Sequence, residues 1–287
     1  MQTAAPPSDV YLAAFTSQAG KITIGQPANI SNGPGYDNQP SFTPEGQQVL
    51  FTSVRGNQKP DPANSAATGS DIYRYDIGSG RLTQLTSTAE SEYSPTVTPG
   101  GAEFSVIRVE AEGTQRLWRF PLAGGKPELV LANVKPVGYH AWIDRSTVAL
   151  FVLGSPATLQ VANTATGGAQ VIARDIGRSL QRIPGGGVSF VQRETTDGKV
   201  TLTVMRLEPG THKVAPLVRV PDGAQNPDFT WTPDGTLLLA HGGTLLRWRS
   251  GDDGFSAAVD LDALGLTGVT RIAVSPRGDR IALVAQQ

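Results

Sequence analysis

The stretch "QPSFTPEGQQVLFTS" (39–53) contains two apolar runs joined by the tight turn Thr43-Pro44-Glu45-Gly46. Similar turns follow at "TVTPGG" (96–101), "AWIDRS" (141–146, degenerate), "RIPGGG" (182–187), "TWTPDG" (230–235) and "AVSPRG" (273–278). Five steps from Pro44 to Pro276 cover 232 residues, so the repeat is near 46 residues. A period in the forties, with a strand on each side of a turn, is typical of a β-propeller with one four-stranded blade per repeat.

A second set of hairpins supports this interpretation, because the outer two strands of each blade also need a turn. Each candidate has a Gly-containing turn, which allows the positive φ of tight hairpins, and flanks that alternate apolar and polar residues. They are "VYLAAFTSQAGKITI" (10–24), "DIYRYDIGSGRLTQLT" (71–86), "RLWRFPLAGGKPELVL" (116–131), "LQVANTATGGAQVIA" (159–173), "LTVMRLEPGTHKVAPLV" (202–218) and "LLRWRSGDDGFSAAV" (245–259). Six outer hairpins therefore match six inner turns.

The order of the two sets in the chain predicts how the ring closes. The outer hairpin at 10–24 precedes every inner turn, and the last inner pair, 270–284, has no outer hairpin after it. We therefore predict an all-β, six-bladed propeller of four-stranded antiparallel blades, closed by N- and C-terminal strands that share one blade. The whole chain, 1–287, would form a single domain. The expected blades are 36–88, 89–134, 135–176, 177–220, 221–265, and 266–287 with 9–31.

Composition agrees with this prediction and excludes several function classes. With 33 Gly and 21 Pro and no collagen-like period, the chain is dense in turns; only 261–268 has helical character. A net charge of -1 with no charged blocks makes nucleic acid an unlikely partner. The absence of Cys excludes disulfides, thiolate metal sites and Cys nucleophiles. The sequence contains no run of 18 apolar residues, so it does not predict a segment that inserts into a membrane.

The first residues bear on localisation. "MQTAAPPSDV" has neither the charged nor the apolar region of a signal peptide, and it resembles a mature N-terminus with an initiator Met in place of a removed signal. We therefore expect a periplasmic or secreted protein, although the same start is compatible with a cytoplasmic one. The segment 55–70 is polar and rich in small residues, and it is predicted to be a loop.

Candidate ligand-binding residues come from the geometry of the propeller. The Pro-Gly turns and the outer hairpins lie on one face, so the links between blades and the loop 55–70 lie on the other. Residues just before each inner strand should then surround the mouth of the central channel. They are Asp37, Asn38, Glu92, Tyr93, Tyr139, His140, Arg178, Ser179, Asn226, Asp228, Thr270 and Arg271.

Two ligands would suit this mixture of charges, and the sequence does not choose between them. Asp37, Glu92 and Asp228 could supply a calcium ion with oxygens. Arg178 and Arg271 would instead suit a carboxylate or phosphate. The simplest alternative is a mouth that is polar because inter-blade loops carry unpaired backbone groups.

Catalytic signals are weak. His140, in "VGYHAWID", is the best candidate for a general base, but a hydrogen-bonded packing histidine is the more common role at such a position. Neither a G-x-S-x-G elbow nor a phosphate-binding Gly-rich loop is present. The four tryptophans fall at two repeated positions, Trp142 with Trp231 and Trp118 with Trp248, which favours packing between blades.

The alternation of "P-x-[FW]-[ST]-P-x-G" turns with "D-I-Y-x-Y-D-x-x-x-G-x-x-x-x-L-T" hairpins resembles the TolB-type, WD-repeat-like β-propellers of bacteria. "SEYSPTVTPGG", "VGYHAW" and "GRSLQRIPGG" resemble an exported, TolB-like group without an established activity. The resemblance implies a six-bladed, monomeric, extracytoplasmic protein, and no binding residue is carried over from the family.

The function expected from the sequence is binding rather than catalysis. The leading hypothesis is a non-enzymatic scaffold propeller of the cell envelope that presents its inter-blade face and the loop 55–70 to a protein, peptide or glycan. The alternatives are a calcium-dependent hydrolase or lactonase-like enzyme, and a propeller that binds a small anion through Arg178 and Arg271.

Overall fold

The computed structural model describes residues 6–55, 60–61, 64–224 and 226–287, with backbone only for 60–61 and 64–68. Its strands form six antiparallel blades arranged in a ring, which confirms the predicted six-bladed all-β propeller. In blades 1 to 5 the strands run from the channel outwards in chain order, and each blade has four.

Each of these five blades begins with an innermost strand and ends with an outermost one. Blade 1 has β4 (Asp37–Phe42), β5 (Gln48–Ser53), β8 (Asp71–Asp76) and β9 (Leu82–Gln84); blade 2 has β10 (Ser91–Val97), β11 (Glu103–Val109), β12 (Gln115–Pro121) and β13 (Glu128–Leu129); blade 3 has β14 (Val137–Trp142), β15 (Thr147–Val152), β16 (Thr158–Asn163) and β17 (Ala169–Arg174); blade 4 has β18 (Ile176–Arg182), β19 (Val188–Thr196), β20 (Lys199–Leu207) and β21 (Val214–Arg219); blade 5 has β22 (Phe229–Trp231), β23 (Leu237–His241), β24 (Thr244–Trp248) and β25 (Ser256–Asp260).

Blade 6 closes the ring with strands from both ends of the chain, as the sequence predicts. Its order is β26 (Arg271–Val274), β27 (Arg280–Gln286), β1 (Ser8–Gln18) and β2 (Lys21–Ile24), and β3 (Ala28–Asn29) also pairs with β1. The β1–β27 ladder runs from Ser8↔Gln286 to Ala14↔Arg280. Main-chain pairing therefore joins the first and last segments of the ring.

The hydrophobic core is divided into six clusters, one between each pair of neighbouring blades. Strand β5 shows how alternation produces this: Leu50 packs towards blade 2, whereas Val49 and Phe51 pack towards blade 6. The side chains of all three are 0% exposed. Because both faces of a blade are covered, the second strands are almost continuously apolar rather than alternating, as in β15 with "TVALFV".

The repeated turn between the first two strands of each blade has a simple basis. Gly46 has a φ of 68°, a backbone conformation that L side chains rarely adopt, and its N–H donates to the carbonyl of Thr43 at 2.8 Å. In the degenerate copy, the Oδ1 of Asp144 accepts from the backbone N–H groups of Ser146 and Thr147, both at 2.8 Å. A carboxylate thus closes the one turn that lacks Pro and Gly.

Two segments lie outside the repeated pattern. A short 3-10 helix, Asp262–Leu264, occupies the segment that was predicted to be helical. Within 55–70, β6 (Pro60–Asp61) and β7 (Asn64–Thr68) form a small antiparallel pair, which satisfies backbone groups in a segment with little to bury. Residues 56–59 and 62–63 of the predicted loop lie outside the described residues. In the described part of the chain, no helix is long and apolar enough to cross a membrane.

Candidate functional site

The six inner strands surround a central channel of about 480 Å³. One residue of each blade lines it at an equivalent position, five residues before the Pro of the inner turn, or before Asp144 in blade 3. We call these six residues the upper ring. They are Gln39, Ser94, Tyr139, Ser179, Asp228 and Arg271.

Several residues predicted from the sequence do lie at this channel. Tyr139, Arg178, Asp228 and Arg271 line it, together with His140. Ser179 belongs to the upper ring. On the sides formed by blades 3 to 6, residues of the predicted mouth therefore line this cavity, and their role in binding stays a prediction.

In blades 1 and 2 the predicted residues lie elsewhere. Asp37, Asn38, Glu92 and Tyr93 are not among the described residues that line the channel; Gln39 and Ser94, which the sequence reasoning missed, take the equivalent positions. The strand pairing shifts between Asn38 and Ser41, and again between Tyr93 and Thr96. Similar shifts occur in blades 3 and 4, so the difference is one of position: the residues predicted in blades 1 and 2 lie one or two positions before Gln39 and Ser94.

The backbone at the two missed positions is unusual. Gln39 and Ser94 have φ values of 57° and 54°, a conformation that few residues other than glycine adopt. The Gln39 side chain stabilises both bulges: its Oε1 accepts from the Thr52 hydroxyl at 2.8 Å and from the Ser94 N–H at 2.9 Å. Counting five residues back from the Pro of each turn identifies Gln39 and Ser94.

The predicted carboxylates in blades 1 and 2 form separate buried ion pairs. Asp37 is 0% exposed and lies 2.9 Å from the Nη2 of Arg55. Burial raises the pKa of Asp37, and hydrogen bonding by Ser53 and the charge of Arg55 oppose that effect. Glu92, also 0% exposed, lies 3.4 Å from the Nε of Arg108.

Asp228 pairs with a third arginine. Its Oδ1 accepts from the Nη1 of Arg271 at 3.2 Å and from the Ser179 hydroxyl at 3.1 Å, and its Oδ2 accepts from the N–H of Ile272 at 3.3 Å. Within the described ranges, no three His, Cys, Asp or Glu residues come together as a metal site would require. The predicted calcium ligands Asp37, Glu92 and Asp228 thus do not converge, and calcium binding stays a prediction.

The upper ring places an arginine and a tyrosine in direct contact. The Nη2 of Arg271 donates to the Tyr139 hydroxyl at 3.0 Å, and the guanidinium carbon lies 5.0 Å from the centroid of the Tyr139 ring. Burial works against the Arg271 charge, but Asp228 and Tyr139 more than compensate and raise its pKa. For Tyr139, burial raises the pKa of the hydroxyl, yet the charges of Arg271 and Arg178 outweigh it, so the pKa is lowered.

Arg178 is the unbalanced charge of the mouth. Its Nε is buried and has no hydrogen-bond partner within the described part of the chain, and it forms no ion pair there. Its charge acts on two tyrosine hydroxyls, those of Tyr139 and Tyr36. The pKa of Tyr36 is raised by burial and by Tyr139. Two arginines therefore face one carboxylate, Asp228, and leave a net positive charge.

His140 is built into the wall of the channel. Its side chain is 7% exposed, and its Nε2 lies 2.7 Å from the hydroxyl of Ser105, which also accepts from the Nε1 of Trp142 at 2.9 Å. Burial lowers the pKa of His140 to about 4. Ser105 is 0% exposed. A neutral imidazole bonded to a buried serine fits a packing role better than that of a general base in contact with a substrate.

A second cavity of about 590 Å³ opens next to the mouth, between blades 3 and 4. We call it the blade 3–4 groove. It shares Tyr139 and Arg178 with the channel, and the predicted site residue Asn226 lies here rather than in the channel. Its other lining residues include Phe151, Leu153, Pro156, Ile176 and Arg193.

The architecture and this polar channel define the class of molecule: a six-bladed β-propeller with a charged inter-blade mouth. No protein-family model and no curated protein matches the sequence. Solved structures do match in fold. A structure described as putative TolB from Agrobacterium tumefaciens is 15% identical with a TM-score of 0.70, and the match covers 99% of both chains.

Two further structures have the same fold. TolB from Acinetobacter baumannii is 14% identical with a TM-score of 0.60, and the match covers 97% of this chain and 64% of that one. XC5397 from Xanthomonas campestris, described as a gluconolactonase, is 12% identical with a TM-score of 0.62, and the match covers 100% and 99% of the two chains. The chain therefore has the TolB-type six-bladed propeller fold, which proteins of different activities share.

Proposed function

We propose that this chain is a non-enzymatic binding propeller that holds an anionic group of its ligand at the inter-blade mouth of the channel. The observation that carries the proposal is Arg178, which lines the mouth and has neither an ion pair nor a side-chain hydrogen bond in the described part of the chain. A guanidinium without a counter-ion is costly in a partly buried site, and a carboxylate would pair with its Nη groups through charge-assisted hydrogen bonds. The charge of the second arginine, Arg271, is offset by its pairing with Asp228, so Arg178 supplies the net positive charge.

The proposed setting is the bacterial cell envelope, after export. The resemblance of the repeats to exported TolB-like propellers and the likeness in fold to TolB support this setting. The proposed partner is a protein, peptide or glycan that bears an acidic group. Strand β5 ends at Ser53 and β8 begins at Asp71, and we propose that the loop 55–70 between them contributes to the binding surface.

The proposal is tested by substituting Arg178 and measuring the binding of acetate, used as a probe carboxylate, by NMR titration. We expect Arg178→Ala to weaken acetate binding by about tenfold or more, which is the typical value of a hydrogen bond to a charged group. Arg182→Ala is the matched control, because Arg182 lies on the same strand at the opposite end of the channel. Equal binding of acetate by the two variants would refute the proposal.

A calcium-dependent hydrolase or lactonase is the alternative function. The likeness in fold to a gluconolactonase is its support, but the predicted calcium ligands each pair with a different arginine. A ligand that binds only the folded state raises the melting temperature. We expect the melting temperature to be the same in calcium and in EDTA; a clear rise in calcium would favour the enzyme over the proposed function.

A further inference from the structure

The blade 3–4 groove has an aromatic floor. The rings of Tyr139 and Phe151 pack edge to face, with centroids 5.9 Å apart and an interplanar angle of 61°. Gly138 makes this arrangement possible: a Cβ there would lie 3.0 Å from the Cδ1 of Phe151 and 3.4 Å from the Cγ of Leu153. The glycine therefore lets both side chains lie over the backbone of β14.

The rim of the groove exposes an apolar side chain. Leu153 is 39% exposed and is one of four large hydrophobic residues in the described part of the chain that are exposed; the others, Val171, Val200 and Val214, lie on third or outermost strands. Leu153 instead follows β15 on the inter-blade face, beside the mouth. The aromatic floor and Leu153 at the rim together form an apolar surface next to the guanidinium group of Arg178.

The charges of the groove leave Arg178 unbalanced here as well. At the rim, the Nε of Arg193 lies 3.7 Å from the Oδ1 of Asp175, so these two opposite charges offset each other. Arg178 lines both the groove and the channel and has no ion-pair partner among the described residues. A ligand that spans the junction would therefore meet one positive charge on the channel side and an apolar floor on the groove side.

We propose that the mouth and the blade 3–4 groove form one site for a small organic acid. Its carboxylate binds Arg178, and its aromatic or branched apolar substituent lies on Tyr139, Phe151 and Leu153. This inference rests on the proposed function, because it uses the same arginine as the anion anchor. It goes beyond that function in the ligand it names: a small amphipathic monocarboxylate, bound at the same arginine as the acidic group of the proposed protein, peptide or glycan partner.

The test compares acetate with phenylacetate, and phenylacetate with the uncharged phenylethanol, in NMR titrations of the full chain. Phenylacetate is expected to bind about tenfold more tightly than acetate, since burying ~60 Å² of apolar surface gives about that factor. Leu153→Ser should remove most of this gain and leave acetate binding unchanged. Val171→Ser is the matched control, because Val171 is equally exposed but lies on β17, away from the groove.

The outcomes separate the two proposals. If acetate binding depends on Arg178 but phenylacetate binds no more tightly than acetate, the groove inference is wrong and the proposed function stands. If Arg178→Ala changes the affinity of neither acid, the anion site itself is refuted. If a peptide that ends in a Phe carboxylate binds and phenylacetate does not, the ligand is a chain terminus and the small-acid proposal is overturned.

Discussion

At the scale of single residues, His140 in the channel wall makes the stability of the folded state depend on pH. The imidazole is buried against Ser105, and burial lowers its pKa to about 4, whereas an unfolded chain would leave it near its ordinary value of about 6.5. Between these two values the unfolded state binds a proton that the folded state does not. His140 therefore makes the folded state less stable as the pH falls from about 6.5 to about 4.

The predicted result is a pH-dependent difference between two variants. Over that window the wild type should lose up to about 1.4 kcal/mol of unfolding free energy per pH unit through this residue, and His140→Asn should lose correspondingly less. Urea unfolding at pH 7, 5.5 and 4.5 measures the difference. His212→Asn, in a surface turn, is the control; a slope for His140→Asn equal to that of the control would contradict the prediction.

At the scale of elements, two tryptophans tie inner strands to the preceding blade in the same way. The Nε1 of Trp142 donates to Ser105 at 2.9 Å, and that of Trp231 donates to Ser189 at 2.8 Å. Each serine lies on the second strand of the preceding blade and is 0% exposed. The repeated positions of tryptophan in the sequence thus reflect packing and hydrogen bonding between blades.

The hydrogen bond between Trp231 and Ser189 gives a stability prediction. Trp231→Phe should lower the unfolding free energy by about 1–3 kcal/mol, because the hydrogen bond donated to Ser189 is lost, while the Ser189 hydroxyl still donates to the Gln181 carbonyl at 3.1 Å. The double variant Trp231→Phe/Ser189→Ala should lose less than the sum of the two single variants, since the Trp231–Ser189 hydrogen bond can be lost only once. Denaturant unfolding of the wild type, both single variants and the double variant completes the cycle, and strictly additive losses would show that the hydrogen bond contributes nothing.

The elements also show how far the sequence could predict the molecule. The period of the Pro-Gly turns and the order of the hairpins were sufficient for the fold, because each repeats in every blade. The site was predicted in part: Tyr139, Asp228 and Arg271 line the channel, but Gln39 and Ser94 were missed. The fixed spacing to the Pro of each turn marks both positions, but their bulged backbone depends on the Gln39 side chain accepting a hydrogen bond from blade 2, a tertiary contact that the sequence does not indicate. The pairing of Asp228 with Arg271 likewise joins residues 43 positions apart.

At the scale of the whole molecule, the β1–β27 ladder holds the ring shut. A covalent link across it should stabilise the propeller by restricting the unfolded chain, by up to about 5 kcal/mol for a loop of this length. Ala14 and Arg280 face each other in the ladder, and the chain contains no other cysteine to interfere. We expect Ala14→Cys/Arg280→Cys to melt at a higher temperature when oxidised than when reduced. The single-cysteine variants should show no effect of reductant, and a double variant equally insensitive would contradict the prediction.

In every blade, the residue that lines the channel and the residues that form the inner turn are different positions, so ligand preference and scaffold can change independently. The residues five positions before the Pro of each inner turn, or before Asp144 in blade 3, are Gln, Ser, Tyr, Ser, Asp and Arg around the channel. Each blade contributes one residue to the upper ring, while the neighbouring apolar residues of the strands pack in the cores between blades. Substitutions at the upper ring can therefore change the ligand preference one blade at a time, while the turn and core residues that form the propeller stay the same.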